Sequence, residues 1–458
     1  MTGKDFVAFV SWPSAPLTNR LVRNSLQSLE SPPTIVDTIP NQQDRPLLQW
    51  STYDSIDHEL TLEQSSTILS SSYTIRKALI RKHYLARSIQ NYLVKHPESI
   101  LKRAIPQTWD VELTFADELE DMWGDELWDL GEALDEGHKW FILKPGMADR
   151  GMGIRLFHSK DELVKIFEEF EDSDSDEEEE QTEEGYSLDT AVVTSQLRHF
   201  VLQEYLSDPL LLDPSEVPLD VEKEQTARPT REELQGHKFH LRAYCVASGA
   251  LRVFLYTKIL SLFSALPYSS PSDSDDSSGM DLSAHLTNTS LQVERGEAGV
   301  RLFDELVGCN ILHGSLENGI LTAADLEDIK SQMADVLGET FKAAMNMSIH
   351  FQPIPNAFEL FGIDFLVTHI PSEPGVSPSR KFQVSLLEVN SEPAIELTGP
   401  RLTWILEDLF KSIGKVCVAP FFEKIGTKEH TADGWEVGQT REYLQKCLDI
   451  DVRGAGGW

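Results

Sequence analysis

Two apolar segments, "AFELFGIDFLVT" (357–368) and "FQVSLLEVNSEP" (382–393), carry acids among residues that belong in a core. Asp364 is flanked by Phe361, Ile363, Phe365 and Leu366, and Glu388 by Leu386, Leu387 and Val389. Both segments have the length and composition of strands. An acid inside such a strand is costly unless it is paired or binds a cation. Glu388 and Asn390 are two apart, so their side chains leave the same face. Any fold containing these strands must gather polar groups at one place. Two carboxylates and an amide make an oxygen-rich site, which suits Mg²⁺ carrying nucleotide phosphates. A carboxylate hydrogen-bonded to backbone accounts for one acid well and for all three groups poorly.

Two further patterns point to an anion. "FILKPGMADRGMGI" (141–154) ends an apolar strand on Lys144 and continues into a loop with Arg150, Gly151 and Gly153. A lysine there supplies a fixed charge, and the loop supplies backbone N–H groups that can close over phosphate. The pattern is neither GxxxxGK[ST] nor GxGxxG. "KFHLR" places Lys238, His240 and Arg242 on one face of a strand, with Phe239 and Leu241 on the other. Cations so arranged suit phosphate or carboxylate. A glycine turn beside a surface lysine is common, and the alternation in "KFHLR" also fits the polar outer face of a sheet.

The chain has 458 residues and 40% hydrophobic content, which suits two or three domains. No apolar run approaches 18 residues, so no transmembrane helix is predicted. The start, "MTGKDFVAFVSWPSAP", makes a poor signal peptide. Four widely spaced cysteines show no metal spacing and predict a reduced, cytoplasmic protein. Net charge is −35, of which residues 110–137 and 171–184 supply −22. That field disfavours direct nucleic-acid binding. One stretch, 75–96, has six Lys or Arg and no acid, so an anionic partner would dock near there.

Periodicity predicts strands at "DFVAFV", "PTIVDTI", 199–206, 238–247, 251–258, 357–368 and 382–393. Helices are predicted after the first strand, over 73–96, over 321–345 with Thr322 as cap, and over 401–422. Residues 42–60, "QQDRPLLQWSTYDSIDHEL", read as polar and irregular with a short apolar centre. Residues 171–189 and 267–281 read as disordered inserts.

In this order, the segments "YTIRKALIRKHYLA", "FILKPGMADRGMGI", "VLQEYLSDPLLL", "KFHLRAYCVA", "HLTNTSLQ", "FELFGIDFLV" and "LLEVNSEPAIELTGP" resemble the tubulin–tyrosine ligase family of ATP-grasp ligases. They cover roughly 73–400, and the forms of the Lys144 loop and of the last segment resemble the fungal branch. The resemblance implies an α/β (α+β) ATP-grasp fold in three parts: an N-terminal domain over 1–72, a central domain over 73–205 and a C-terminal domain over 206–458. ATP would lie between the last two. By position, Lys144 would hold ATP phosphates under the loop of Arg150, Gly151 and Gly153. Gln203, Glu204, Tyr205 and Leu206 would hold adenine through backbone groups. Lys238, Thr287 and Asn288 would add ATP contacts, Arg242 would face the substrate and acyl phosphate, and Asp364, Glu388 and Asn390 would hold Mg²⁺. His240 stands where the family often carries Asp as an ATP contact. Thr289 and Val293 also depart from the family pattern, the latter where glutamate-adding members have a basic residue. No strong basic helix follows the ligase core.

The resemblance implies ATP- and Mg²⁺-dependent joining of a free amino acid to a carboxylate of a protein or peptide, tubulin or another. A monomer is the default expectation, and no membrane partner is predicted. Its fungal branch implies an alternative: an ATP-binding, ligase-like scaffold for mRNA-decapping factors in cytoplasmic granules. The acidic inserts suit the scaffold. The complete set Asp364, Glu388 and Asn390 suits the enzyme.

Overall fold

The computed structural model describes residues 5–40, 44–147, 153–176, 198–219, 229–271, 282–287, 297–313, 319–370, 380–425 and 434–452. The first unit is a parallel sheet of β1 (Val7–Ser11), β2 (Thr34–Val36), β3 (Leu47–Ser51) and β4 (Ile68–Ser70), in the order β2-β1-β3-β4. Helices α1 (Pro16–Gln27) and α2 (His58–Glu63) complete it. Sequence reading placed β3 in an irregular stretch, yet all five of its residues are buried. The polar residue that hid it, Gln49, donates to the Asp57 carbonyl at 3.1 Å and to Thr61 Oγ1 at 3.0 Å. It also accepts from the Asp57 N–H at 2.8 Å. A buried amide satisfied in this way costs little.

The helix expected over 73–96 is two helices, α3 (Lys77–Ile80) and α4 (Lys82–Lys95), with Arg81 extended between them. Its predicted first turn is not helical. The Tyr73 N–H and the Arg76 guanidinium both bind Glu359, and Ile75 bridges to Gln352. These long-range bonds outcompete the helical register. A short α5 (Leu101–Ala104) follows.

The next sheet is antiparallel. It comprises β5 (Thr108–Glu112), β6 (Phe141–Pro145), β7 (Arg155–Phe157) and β8 (His199–Glu204), in the order β5-β8-β6-β7. Between β5 and β6 lie α6 (Glu118–Met122) and α7 (Trp128–Asp135). After β7 comes α8 (Lys160–Asp176), which runs into the stretch expected to be disordered from 171. Its apolar side, Leu163, Ile166, Phe167 and Phe170, is buried, and Glu171 accepts the Ala116 N–H at 2.5 Å. The rest of that insert lies outside the described residues. In the second insert, Tyr268 is bonded to Gly236 and Ser207, and residues 272–281 lie outside the described residues.

The large sheet is built on β10 (His237–Ser248), which pairs β9 (Leu211–Leu212), β11 (Arg252–Tyr256), β12 (Leu260–Phe263) and β14 (Phe358–His369). Farther out lie β13 (Val300–Leu302) on β12 and β15 (Phe382–Asn390) on β14. At the other edge, β17 (Leu444–Asp449) pairs β11, and β16 (Thr440–Arg441) pairs β17. Helix α9 (Ala323–Met345) starts at a capping box of Thr322 and Asp325. The closing helix is broken: α10 (Thr403–Ile413) and α11 (Ala419–Lys424) flank a π turn over Gly414–Val418. Pro420, lacking an N–H, relaxes the ladder there.

One core joins the first unit to the large sheet, mixing Phe6, Leu21 and Trp50 with Tyr244, Phe254, Ile405 and Phe410. A second holds Tyr73, Leu79, Leu85 and Ile89 against the other face of that sheet. The antiparallel sheet of β5–β8 has its own core with α7 and α8.

Candidate functional site

A cleft of about 1140 Å³ separates the β5–β8 sheet from the large sheet. Lys144 lines it from the end of β6, and Gln203, Glu204, Tyr205 and Leu206 from the end of β8. From the other side come Lys238, His240, Arg242, Thr287, Asp364, Glu388 and Asn390. Gly153 is described, at φ +70°, where glycine is favoured, but it does not line the cleft. Arg150, Gly151, Asn288, Thr289 and Val293 lie outside the described residues. Gly146 permits a close approach after Lys144: a Cβ there would meet His83 Nδ1 at 2.6 Å and the His199 carbonyl at 2.9 Å.

The large sheet aligns its polar residues by register. Arg242 on β10 faces Asp364 on β14, which faces Glu388 on β15. A bulge after Asp364, opposite Leu387, puts Glu388 and Asn390 on the cleft side. Arg242 grips Asp364 with two N–H groups, Nε to Oδ1 and Nη2 to Oδ2, the latter at 2.9 Å. Asn390 Nδ2 lies 3.4 Å from Asp364 and 3.2 Å from Glu388. Lys82, from the start of α4, reaches Glu388 at 3.2 Å. Sequence reading put Lys82 in a docking surface and missed this contact. It also missed Tyr53, Arg76 and His350 as residues lining the cleft.

Burial raises the Glu388 carboxyl, but the cations Lys82, Lys144 and Arg242 together hold it well below the usual range. Lys144 donates to Gln203 Oε1 at 2.7 Å, and burial lowers it to about 8. Lys238 donates to the Tyr205 hydroxyl at 3.0 Å, and burial, with Lys144 nearby, lowers it to about 7. His240 shares a 2.6 Å hydrogen bond with Thr287, and burial lowers its pKa. Its Nε2 stands 3.5 Å from Asp364.

An anion beside Lys238 favours its charged form and raises its pKa. Affinity for nucleotide phosphates should therefore be greatest below pH 7 and fall as pH rises above about 7, with proton uptake on binding. Calorimetry at pH 8 in buffers of different ionisation enthalpy measures that uptake. Affinity unchanged between pH 6 and 9 would remove Lys238 from phosphate contact.

Among the described residues no group of three His, Cys, Asp or Glu could hold a metal. The set Asp364, Glu388 and Asn390 is of another kind: hard oxygen donors on one face, with room beside them. It fits Mg²⁺, which keeps several waters and shares its shell with phosphate. Both carboxylates already face cations, Arg242 and Lys82.

Residues 62–426 match the Tubulin-tyrosine ligase family. The chain belongs to that family. A probable tubulin–tyrosine ligase of Schizosaccharomyces pombe is 37% identical, over 84% of this chain and 86% of its own length. The probable tubulin–tyrosine ligase PBY1 of Saccharomyces cerevisiae is 33% identical over 92% of this chain. This chain spans 54% of that longer protein. The crystal structure of the C-terminal domain of K. lactis Pby1, described as an ATP-grasp enzyme interacting with the mRNA decapping enzyme Dcp2, superposes with a TM-score of 0.63. It is 28% identical and covers 98% of this chain and 99% of that domain. The family and its ATP-grasp fold account for the two facing sheets and the cleft between them.

Proposed function

We propose that the chain is an ATP- and Mg²⁺-dependent ligase that joins an amino acid to a carboxylate of a protein or peptide through an acyl phosphate. The observation that carries this is the row Arg242–Asp364–Glu388 facing Lys144 across the cleft. Lys144 and Lys238 would neutralise the phosphates. Gln203, Glu204, Tyr205, Leu206, His240, Thr287 and Asn288 would complete the nucleotide pocket, with Arg150, Gly151 and Gly153 in the covering loop. Asp364, Glu388 and Asn390 would hold Mg²⁺, which when bound screens the charge on the transferring phosphoryl group.

In the first step a carboxylate oxygen attacks the γ-phosphorus, the bridging P–O bond breaks, and ADP leaves with its electrons. Arg242 would orient that carboxylate and steady the acyl phosphate. In the second, the amine attacks the acyl carbon, phosphate departs, and the amine proton passes to solvent. The cleft walls exclude bulk water from the acyl phosphate.

The core division supports a moving central unit, with its own core, closing on a fixed pair. Four free thiols, three of them buried, support a cytoplasmic setting. The interaction stated for K. lactis Pby1 supports a second role for the folded chain, as a docking platform for a decapping factor.

Thermal unfolding with and without MgATP tests the nucleotide site. Ligand at 100 times its dissociation constant stabilises the native state by about 2.7 kcal/mol. An upward shift is expected, and ADP should accumulate beyond one equivalent of protein only when acceptor and amino acid are both present. No shift at millimolar MgATP would overturn the enzyme reading and leave the platform.

A further inference from the structure

The side chain of Gln203 is used by neither the hinge backbone nor the metal set, yet it is buried and doubly bonded. It accepts from Lys144 Nζ at 2.7 Å and donates from Nε2 to Thr108 Oγ1 at 2.9 Å. The Thr108 hydroxyl in turn donates to the Pro106 carbonyl at 2.7 Å. The polarity of this chain is fixed at both ends. A carbonyl can only accept, so the Thr108 proton goes to Pro106 and its lone pair faces Gln203. An ammonium can only donate, so the Gln203 carbonyl must face Lys144. The sheet holds the three residues in line: Thr108 on β5 is opposite Gln203 on β8, and Gln203 is opposite Ile142, two residues before Lys144 on β6.

We propose that Thr108 is a positioning residue for the nucleotide phosphates: by fixing the orientation of Gln203, it aims the Lys144 ammonium into the cleft. This rests on the reading of Lys144 as a phosphate ligand. Without the Thr108 oxygen, Gln203 Nε2 loses its acceptor, and the amide is held from the Lys144 end alone and can swing together with the ammonium. A void of about 30 Å³ bounded by Thr108, Lys144, Gln203, Leu386 and Leu387 gives both side chains room to do so. An ammonium that swings with its acceptor is no longer aimed into the cleft.

The test is calorimetric binding of MgATP, MgADP and adenosine to wild type, Thr108→Val and Thr108→Ser. Thr108→Val keeps the β-branched shape that a strand favours. It should lose about tenfold in affinity for both nucleotides, the scale of one hydrogen bond to a charged group, and nothing for adenosine. Thr108→Ser should restore wild-type affinity. In a Lys144→Met background, Thr108→Val should cost nothing further. Equal losses for MgATP and adenosine would make Thr108 a mere support of the hinge strand and overturn the proposal. So would full MgATP affinity in Thr108→Val. If wild type itself binds adenosine but gains nothing from the phosphates, the phosphate-ligand reading of Lys144 falls first, and the relay with it.

Discussion

Glu388→Gln should lower ADP release in the presence of acceptor and amino acid by at least about 10³-fold, while leaving the fold intact. The substitution preserves volume and removes one charge. It weakens the hard-oxygen donor set, and it leaves Lys82, now 3.2 Å from the carboxylate, facing a neutral amide. The thermal shift with MgATP should shrink as well. Steady-state turnover across a Mg²⁺ titration, with circular dichroism as the fold control, is the measurement. Wild-type turnover in this variant would exclude Glu388 from the metal set.

Arg76→Met should destabilise the protein by about 3–5 kcal/mol, because it removes the cation from Glu359, whose pKa burial already raises to about 7, and leaves a buried carboxyl that must either protonate or stay charged without its partner. Arg76 and Glu359 are 8% and 2% exposed, so water cannot compensate. The guanidinium also stacks 4.1 Å from the Tyr53 ring, tying the first unit to the large sheet. Urea denaturation gives the value. The double variant Arg76→Met, Glu359→Gln should recover much of the loss, since neither charge then remains buried. A loss below about 1 kcal/mol in the single variant would show that the pair contributes little.

Side-chain period and local composition made much of this molecule legible. The face shared by Lys238, His240 and Arg242 follows from alternation alone, as does that shared by Glu388 and Asn390, and each set meets in the cleft. The capping box at Thr322 was equally local. What escaped depends on distant partners. Gln49 looks like a loop residue until Thr61 and the Asp57 backbone surround it. Arg76 and Tyr73 leave the helical register for Glu359, 283 and 286 positions away. Lys82 read as part of a basic docking stretch because nothing local shows that α4 begins beside Glu388. The bulge at Leu387, opposite the Asp364–Phe365 step, also left no mark, since a strand with an extra residue has the same composition as one without it.

The row Arg242, Asp364, Glu388 and Lys82 is electroneutral by itself: two guanidinium or ammonium groups against two carboxylates. Lys144 from across the cleft and Lys238 from the same sheet as the row add positive charge. A bare divalent ion would enter a place already neutral, beside those two ammoniums, and be repelled. Free ATP would bring more negative charge than two lysines can balance. Their complex carries about two net negative charges, the amount that two ammoniums offset. On the proposed reading the pocket would match the salt and neither ion alone, so metal and nucleotide should arrive together, as one particle.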